Sequence, residues 1–279
     1  MNDHFCAFSF VDRIHPGKAP NHIRGSYLVP AGVCAFPASL AAEAVGQLAA
    51  WAAMDAVNYE RRPVAGIASR FELLNSPQPG QLLDLSVDIE TIDSDAIAYS
   101  GTASANGVPL IHLEHCVGPM VAVADFDDPQ ALRERFALLC GSGATPGRFG
   151  GIPPLIPDRI GGEPGSSATA VFQVPTNGAF FADHFPRRPV FPGSLLMHAK
   201  LELARALASE APPAPGGAWV LSAVLDMKLR AFIPPGKILD MEARFTDRSS
   251  ESSTIALETR SGERSMGSAR VLMTSTPIP

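Results

Sequence analysis

The stretch Asp183-His184-Phe185-Pro186-Arg187-Arg188-Pro189-Val190-Phe191-Pro192-Gly193 sets one histidine just ahead of a turn that holds three prolines and a glycine. Proline fixes φ and glycine admits conformations closed to other residues, so the backbone here has few options. Ser194-Leu195-Leu196-Met197 follows at once as an apolar, helix-like run. A histidine and a helix N-terminus are thereby aimed at one small volume. A base beside free backbone N–H donors suits proton abstraction next to a carbonyl.

Working outward, the chain repeats itself. Phe36-Pro37-Ala38-Ser39-Leu40 mirrors Phe191-Pro192-Gly193-Ser194-Leu195 at an offset of 155 (191 − 36). Phe71 to Gly80 parallels Met227 to Gly236, and Leu83-Asp84 parallels Leu239-Asp240, both at an offset of 156 (227 − 71). Phe10 to Ile14 parallels Ile156 to Ile160 at 146 (156 − 10). Blocks in one order at near-constant offsets indicate a tandem duplication. At 155, His198 falls on Glu43 and His184 on Val29. One copy carries an acid and the other a histidine.

The organisation follows. Residues 1–124 are expected to form the first repeat, 125–150 a helix and linker, and 151–279 the second repeat. Each repeat reads as a short strand, a Pro/Gly-rich segment, a long helix (near 39–55 and 194–209) and an antiparallel meander. Leu83-Asp84-Leu85-Ser86-Val87-Asp88-Ile89-Glu90 has the period of two of a half-buried strand. Asp127 to Leu139 reads as an amphipathic helix and Gly141 to Gly147 as a flexible linker. The fold class expected is α+β, each helix burying itself against a sheet.

Composition sets outer bounds. The chain has 279 residues, 46% of them hydrophobic and 18% charged, which suits a globular protein of two ordinary domains. A net charge of −6 argues against a general nucleic-acid surface. Cys6, Cys34, Cys116 and Cys140 show no CxxC spacing, and no signal peptide is visible, so a cytoplasmic setting is expected. The long apolar run around Glu43 contains a helix shorter than the ~20 residues of a membrane span. Glu43 is the only charge between Arg24 and Asp55, and Gln47 lies one turn on, on the same helix face. A lone carboxylate there must be neutral, paired or hydrogen-bonded.

The His184-Phe185-Pro186 and Pro189-Val190-Phe191-Pro192-Gly193 segments, with Glu43-Ala44-Val45-Gly46-Gln47, resemble the 3-hydroxyacyl-thioester dehydratases of the FabA/FabZ type. That family places an acid fourteen residues after the histidine, where this chain has His198. The resemblance implies a hot-dog fold, and the duplication implies a double hot dog, monomeric or dimeric. It implies that His184 takes the α-proton of a 3-hydroxyacyl thioester while Glu43 protonates the departing hydroxyl. Gly193 N–H would meet the thioester oxygen and the Val190 carbonyl would hold the imidazole tautomer, with Gln47 and Phe185 in support. No cofactor is implied beyond a substrate carried on phosphopantetheine. The partner would be an acyl carrier protein or a coenzyme A thioester, in fatty-acid or polyketide-type synthesis. The pocket holding Val29 and His198 is expected to be inactive, with His198 paired to Glu202.

Two other classes compete. A hot-dog thioesterase would use the helical carboxylate to activate water and has no need of His184. A non-catalytic acyl-binding module would need neither residue. His112, His115 and Cys116 could be read as metal ligands, but period-two alternation puts His112 and Cys116 on one side and His115 on the other, so no metal is expected. Arg61, Arg62, Arg187 and Arg188 could meet a phosphate or could be solvated surface charge.

Overall fold

The computed structural model describes residues 4–15, 21–213 and 217–277. The first half comprises β1 (Arg13–His15), β2 (His22–Leu28), α1 (Ala38–Ala56), β3 (Arg61–Pro63), β4 (Ile67–Leu73), β5 (Leu82–Ile92), β6 (Ala96–Ala105) and β7 (Val108–Ala122). After α2 (Pro129–Cys140) come β8 (Asp158–Gly161), β9 (Ser167–Gln173), the one-turn α3 (Phe180–Asp183) and α4 (Gly193–Ser209). The chain ends with β10 (Gly217–Leu229), β11 (Ile238–Arg248), β12 (Ser252–Ser261) and β13 (Arg264–Pro277).

All strands join one antiparallel sheet in the order β1-β2-β5-β6-β7-β4-β10-β13-β12-β11-β9-β8, with β3 added to β7. Read from either end, the order meets equivalent strands at equal distance from the middle. The central ladder shows why the halves fit. Glu72 pairs with Ala223 and Ile67 with Lys228, and a shift of 156 (223 − 67, 228 − 72) exchanges one pair for the other. The β4–β10 seam is self-complementary, as a twofold interface must be. The architecture is α+β, two helix-bearing regions threaded by one continuous sheet, consistent with a tandem double hot dog.

Both long helices begin the same way. Pro37 and Pro192 sit just before their helices with φ near −59°. Their carbonyls accept the first helical amides, from Leu40 at 2.9 Å and from Leu195 at 3.1 Å. Neither helix has a side-chain cap, so the preceding first-turn N–H groups remain free. α1 is enclosed nearly all round, Leu40, Ala44, Val45 and Leu48 being fully buried. α1 and α4 pack against each other while the sheet curls over both. No helix among the described residues is long and apolar enough to cross a membrane.

The linker differs from its expected looseness. Gly143 N donates to Leu138 O at 2.8 Å, Ala144 N to Asp12 O at 2.7 Å, and Arg13 Nη2 to Gly141 O at 2.8 Å. The segment is fastened to β1. Composition reports what a segment would do alone, and here the neighbouring strand supplies its partners.

Candidate active site

His184 lies immediately after α3, which holds its amide through Phe180 O at 2.9 Å. Its Nδ1 is 2.9 Å from the Val190 carbonyl. A carbonyl only accepts, so Nδ1 carries the proton and Nε2 keeps its lone pair. Burial drives the imidazole pKa down to about 3 against the Val190 bond, and nearby Arg62 lowers it further. Phe185, next in sequence, is held at φ 63°, a conformation a bulky residue adopts only where its surroundings impose it.

Glu43 reaches the same cavity from α1. It is half-buried. Burial raises its pKa, opposed by Ser194, Gln47 and Arg62. Gln47 Nε2 donates to Glu43 Oε1 at 3.1 Å, while the Ser194 hydroxyl lies near without a bond of good geometry. Gly193 opens α4 on the cavity wall, where a Cβ would run into Leu229 Cδ1. Val190, Gln47 and Phe185 also line the cavity. Residues 141 apart in sequence (184 − 43) thus face one enclosed space, one from each half.

Residues 162–269 match the family described as ApeI-like, ApeI dehydratase. A 113-residue segment, 40% of the chain, is 30% identical to a 3-hydroxyacyl-[acyl-carrier-protein] dehydratase FabZ of Lactiplantibacillus plantarum and spans 77% of that relative. The chain belongs to the hot-dog dehydratase and thioesterase superfamily. Across nearly its whole length this hot-dog protein is similar in fold to a 12:0-ACP thioesterase from Umbellularia californica, with TM-score 0.56 and 8% identity over 92% of this chain and 95% of that one. It is likewise similar to a MaoC-like dehydratase, with TM-score 0.51 and 11% identity over 95% and 98% of the two chains. At these identities the structural likeness is one of fold alone.

Several residues that sequence reasoning left unremarked or read otherwise stand at or near the cavity. Arg62 is no surface arginine: its side chain is 15% exposed, pairs with Asp127 at 3.1 Å and lies 4.2 Å over the Phe185 ring. Arg187 pairs with Asp128 at 3.0 Å, and Arg188 stacks on Phe126 and Phe232. Asp183 is buried and accepts from Ala7 N, Phe8 N and Ser9 Oγ at 2.6, 2.7 and 3.2 Å. Tyr99 and Cys116 also line the cavity, both hydroxyl and thiol pushed up by burial. These partners are far apart in sequence, and no local pattern announces them.

Val29 and His198 do not line this cavity. Val29 is fully buried, and burial lowers the pKa of half-buried His198. The expected pairing of His198 is displaced, because Glu202 bonds Arg205 instead. The reading of β7 also needs correction. His115 takes φ 47° at a bulge, so alternation breaks there. Leu113 and Cys116 are buried together, while His112 sits across the sheet with Glu72 and Glu114. His112 and Cys116 therefore lie on opposite faces.

Proposed function

We propose that this protein acts on acyl thioesters, and that its reaction is the elimination of water from a 3-hydroxyacyl thioester to give the trans-2-enoyl thioester. The observation that carries this reading is that one cavity is lined both by a neutral imidazole and by a carboxyl whose pKa burial has raised. Both shifts run in the direction elimination needs, toward an unprotonated imidazole and a protonated carboxyl. His184 Nε2 takes the α-proton. The electron pair forms the α–β double bond, and the C–O bond at the β-carbon breaks. Glu43 gives its proton to the leaving oxygen, which departs as water. Charge accumulating on the thioester oxygen is met by the free amides opening α4, Gly193 first. The imidazolium is stabilised in that moment by the enolate beside it, which offsets the low basicity of the empty-cavity imidazole. The reverse hydration uses the same groups. Carriage on an acyl carrier protein or coenzyme A belongs to this reading and draws on the FabZ relative.

A second reading comes from the thioesterases whose fold this chain shares over 92% of its length, although a MaoC-like dehydratase shares that fold over 95%. In a thioesterase reaction Glu43 would be the base for water, His184 would be dispensable, and Glu43 would work ionised, against its raised pKa. Product analysis separates the two. Saturated acyl and 3-hydroxyacyl thioesters are supplied on both carriers, and enoyl product and free thiol are measured. Dehydration requires enoyl product that falls roughly 10²- to 10⁴-fold in both His184→Ala and Glu43→Gln. Free thiol released at the same rate with and without His184 would instead make the protein a thioesterase.

A further inference from the structure

Residues 4–10 run from the loop of the second half toward α1, in turns, bends and irregular backbone. Two side chains bond their backbone, and His4 also meets Asp127 at 3.2 Å and Asp183 at 3.7 Å. From the second half, Asp183 Oδ2 accepts Ala7 N at 2.6 Å, Phe8 N at 2.7 Å and Ser9 Oγ at 3.2 Å. From the first half, Gln47 Oε1 accepts Phe10 N at 2.7 Å and Gln47 Nε2 donates to Phe8 O at 2.9 Å. Asp183 immediately precedes His184, and Gln47 follows Glu43 by one helical turn and bonds it at 3.1 Å. Between these anchors the Phe8 ring, 2% exposed, stands edge-on to His184 with ring centres 5.5 Å apart.

We propose that this segment is a strap that sets the register between His184 and Glu43, with Asp183 and Gln47 as its positioning residues. The proposal rests on the reading that His184 and Glu43 act together, and it names what fixes their relation. The two residues come from different halves, so no single element determines their separation. The connected bonds Asp183–strap–Gln47–Glu43 run from the loop of one to the helix of the other. A buried carboxylate serving three donors is a charge-assisted anchor, and removing it strands two amides out of water. Reacting groups displaced by about 1 Å lose roughly 100-fold in rate. The strap also covers the histidine, because Phe8 occupies the edge of its ring.

The test compares Asp183→Ala, Asp183→Asn and His184→Ala in the full chain. Two readouts are taken beside the melting temperature: kcat and KM for water elimination, and the carbethoxylation rate of His184 by peptide mapping. Asp183→Ala is expected to lower kcat roughly 100-fold with a smaller change in KM, and to speed His184 modification. Asp183→Asn keeps an acceptor oxygen and is expected to restore most of both. A folded Asp183→Ala protein with wild-type kcat and wild-type His184 reactivity overturns the proposal. If that variant does not fold, Gln47→Ala frees the strap from its other end, and unchanged kcat and reactivity there overturn it equally. Full turnover in His184→Ala would remove the acid–base reading instead, and His184 reactivity in the Asp183 variants would still decide whether the strap orders the loop.

Discussion

His184 stays neutral because the protein encloses it and spends its Nδ1 proton on the Val190 carbonyl. Nearby His4, against Asp127 and Asp183, shows the opposite balance. Burial alone would lower the His4 pKa, but carboxylates at 3.2 Å (Asp127) and 3.7 Å (Asp183) raise it to about 9. The sign of each contribution follows. With a folded value above 6.5, the His4 contribution is complete below about pH 6.5 and is lost as pH rises through about 9. With a folded value near 3, His184 costs nothing above 6.5 and destabilises increasingly as pH falls toward 3. Thermal unfolding followed against pH should therefore show an alkaline decline of up to about 3 kcal/mol. That decline should flatten in His4→Gln while the acid limb is kept. At this scale motif and repeat singled out His184, Val190 and Glu43, which line one cavity. Asp183, Arg62 and His4 stayed hidden, since each owes its state to a partner that only tertiary folding brings near.

Among the elements, α1 and α4 begin alike and then diverge. Gly46 of α1 faces the cavity, and a Cβ there would come within 3.2 Å of Tyr99 Oη. The position of Gly46 in α4 belongs to Leu201, and that of Tyr99 in β12 to Ile255, both buried. A missing side chain thus keeps space open beside Glu43 in one half. Gly46→Leu should fill that space, raising KM for long acyl thioesters by about tenfold or more, the loss of one to two buried methylene contacts. Short acyl thioesters should be spared, and a chain-length series on the variant checks the difference. Helix positions were readable from proline placement and apolar runs, and the strands from alternation. The exception was β7, where the left-handed turn at His115 reverses the faces. Nothing in a period of two signals a bulge.

At the scale of the molecule, the seam between β4 and β10 and the contact between α1 and α4 carry the union of the halves. The division at 1–124 and 151–279 can be examined by cutting the chain at Gly147, an exposed position where even a Cβ would touch nothing. The two pieces made together should co-purify one to one. Either piece alone should be insoluble, because it presents the unpaired edge of β4 or β10 and an uncovered helix face. Co-purification failing, or one piece folding alone, would show that the seam does not bind the halves. The repeat was legible because sequence offsets survive divergence. The strap was not, since all of it but Phe10 lies outside the duplicated blocks.

The self-complementary seam also changes what mutation can do. In a homodimer each substitution is made twice, once on either side of the axis, and a gain in one pocket is repeated in the other. Here the two sides are written by separate codons, so a change at His198 or Leu201 leaves the Glu43 wall as it was. The chain keeps the mechanical benefit of a twofold joint while each side drifts alone. The Val29 and His198 side is thereby open ground on which a new property can arise without disturbing the old one.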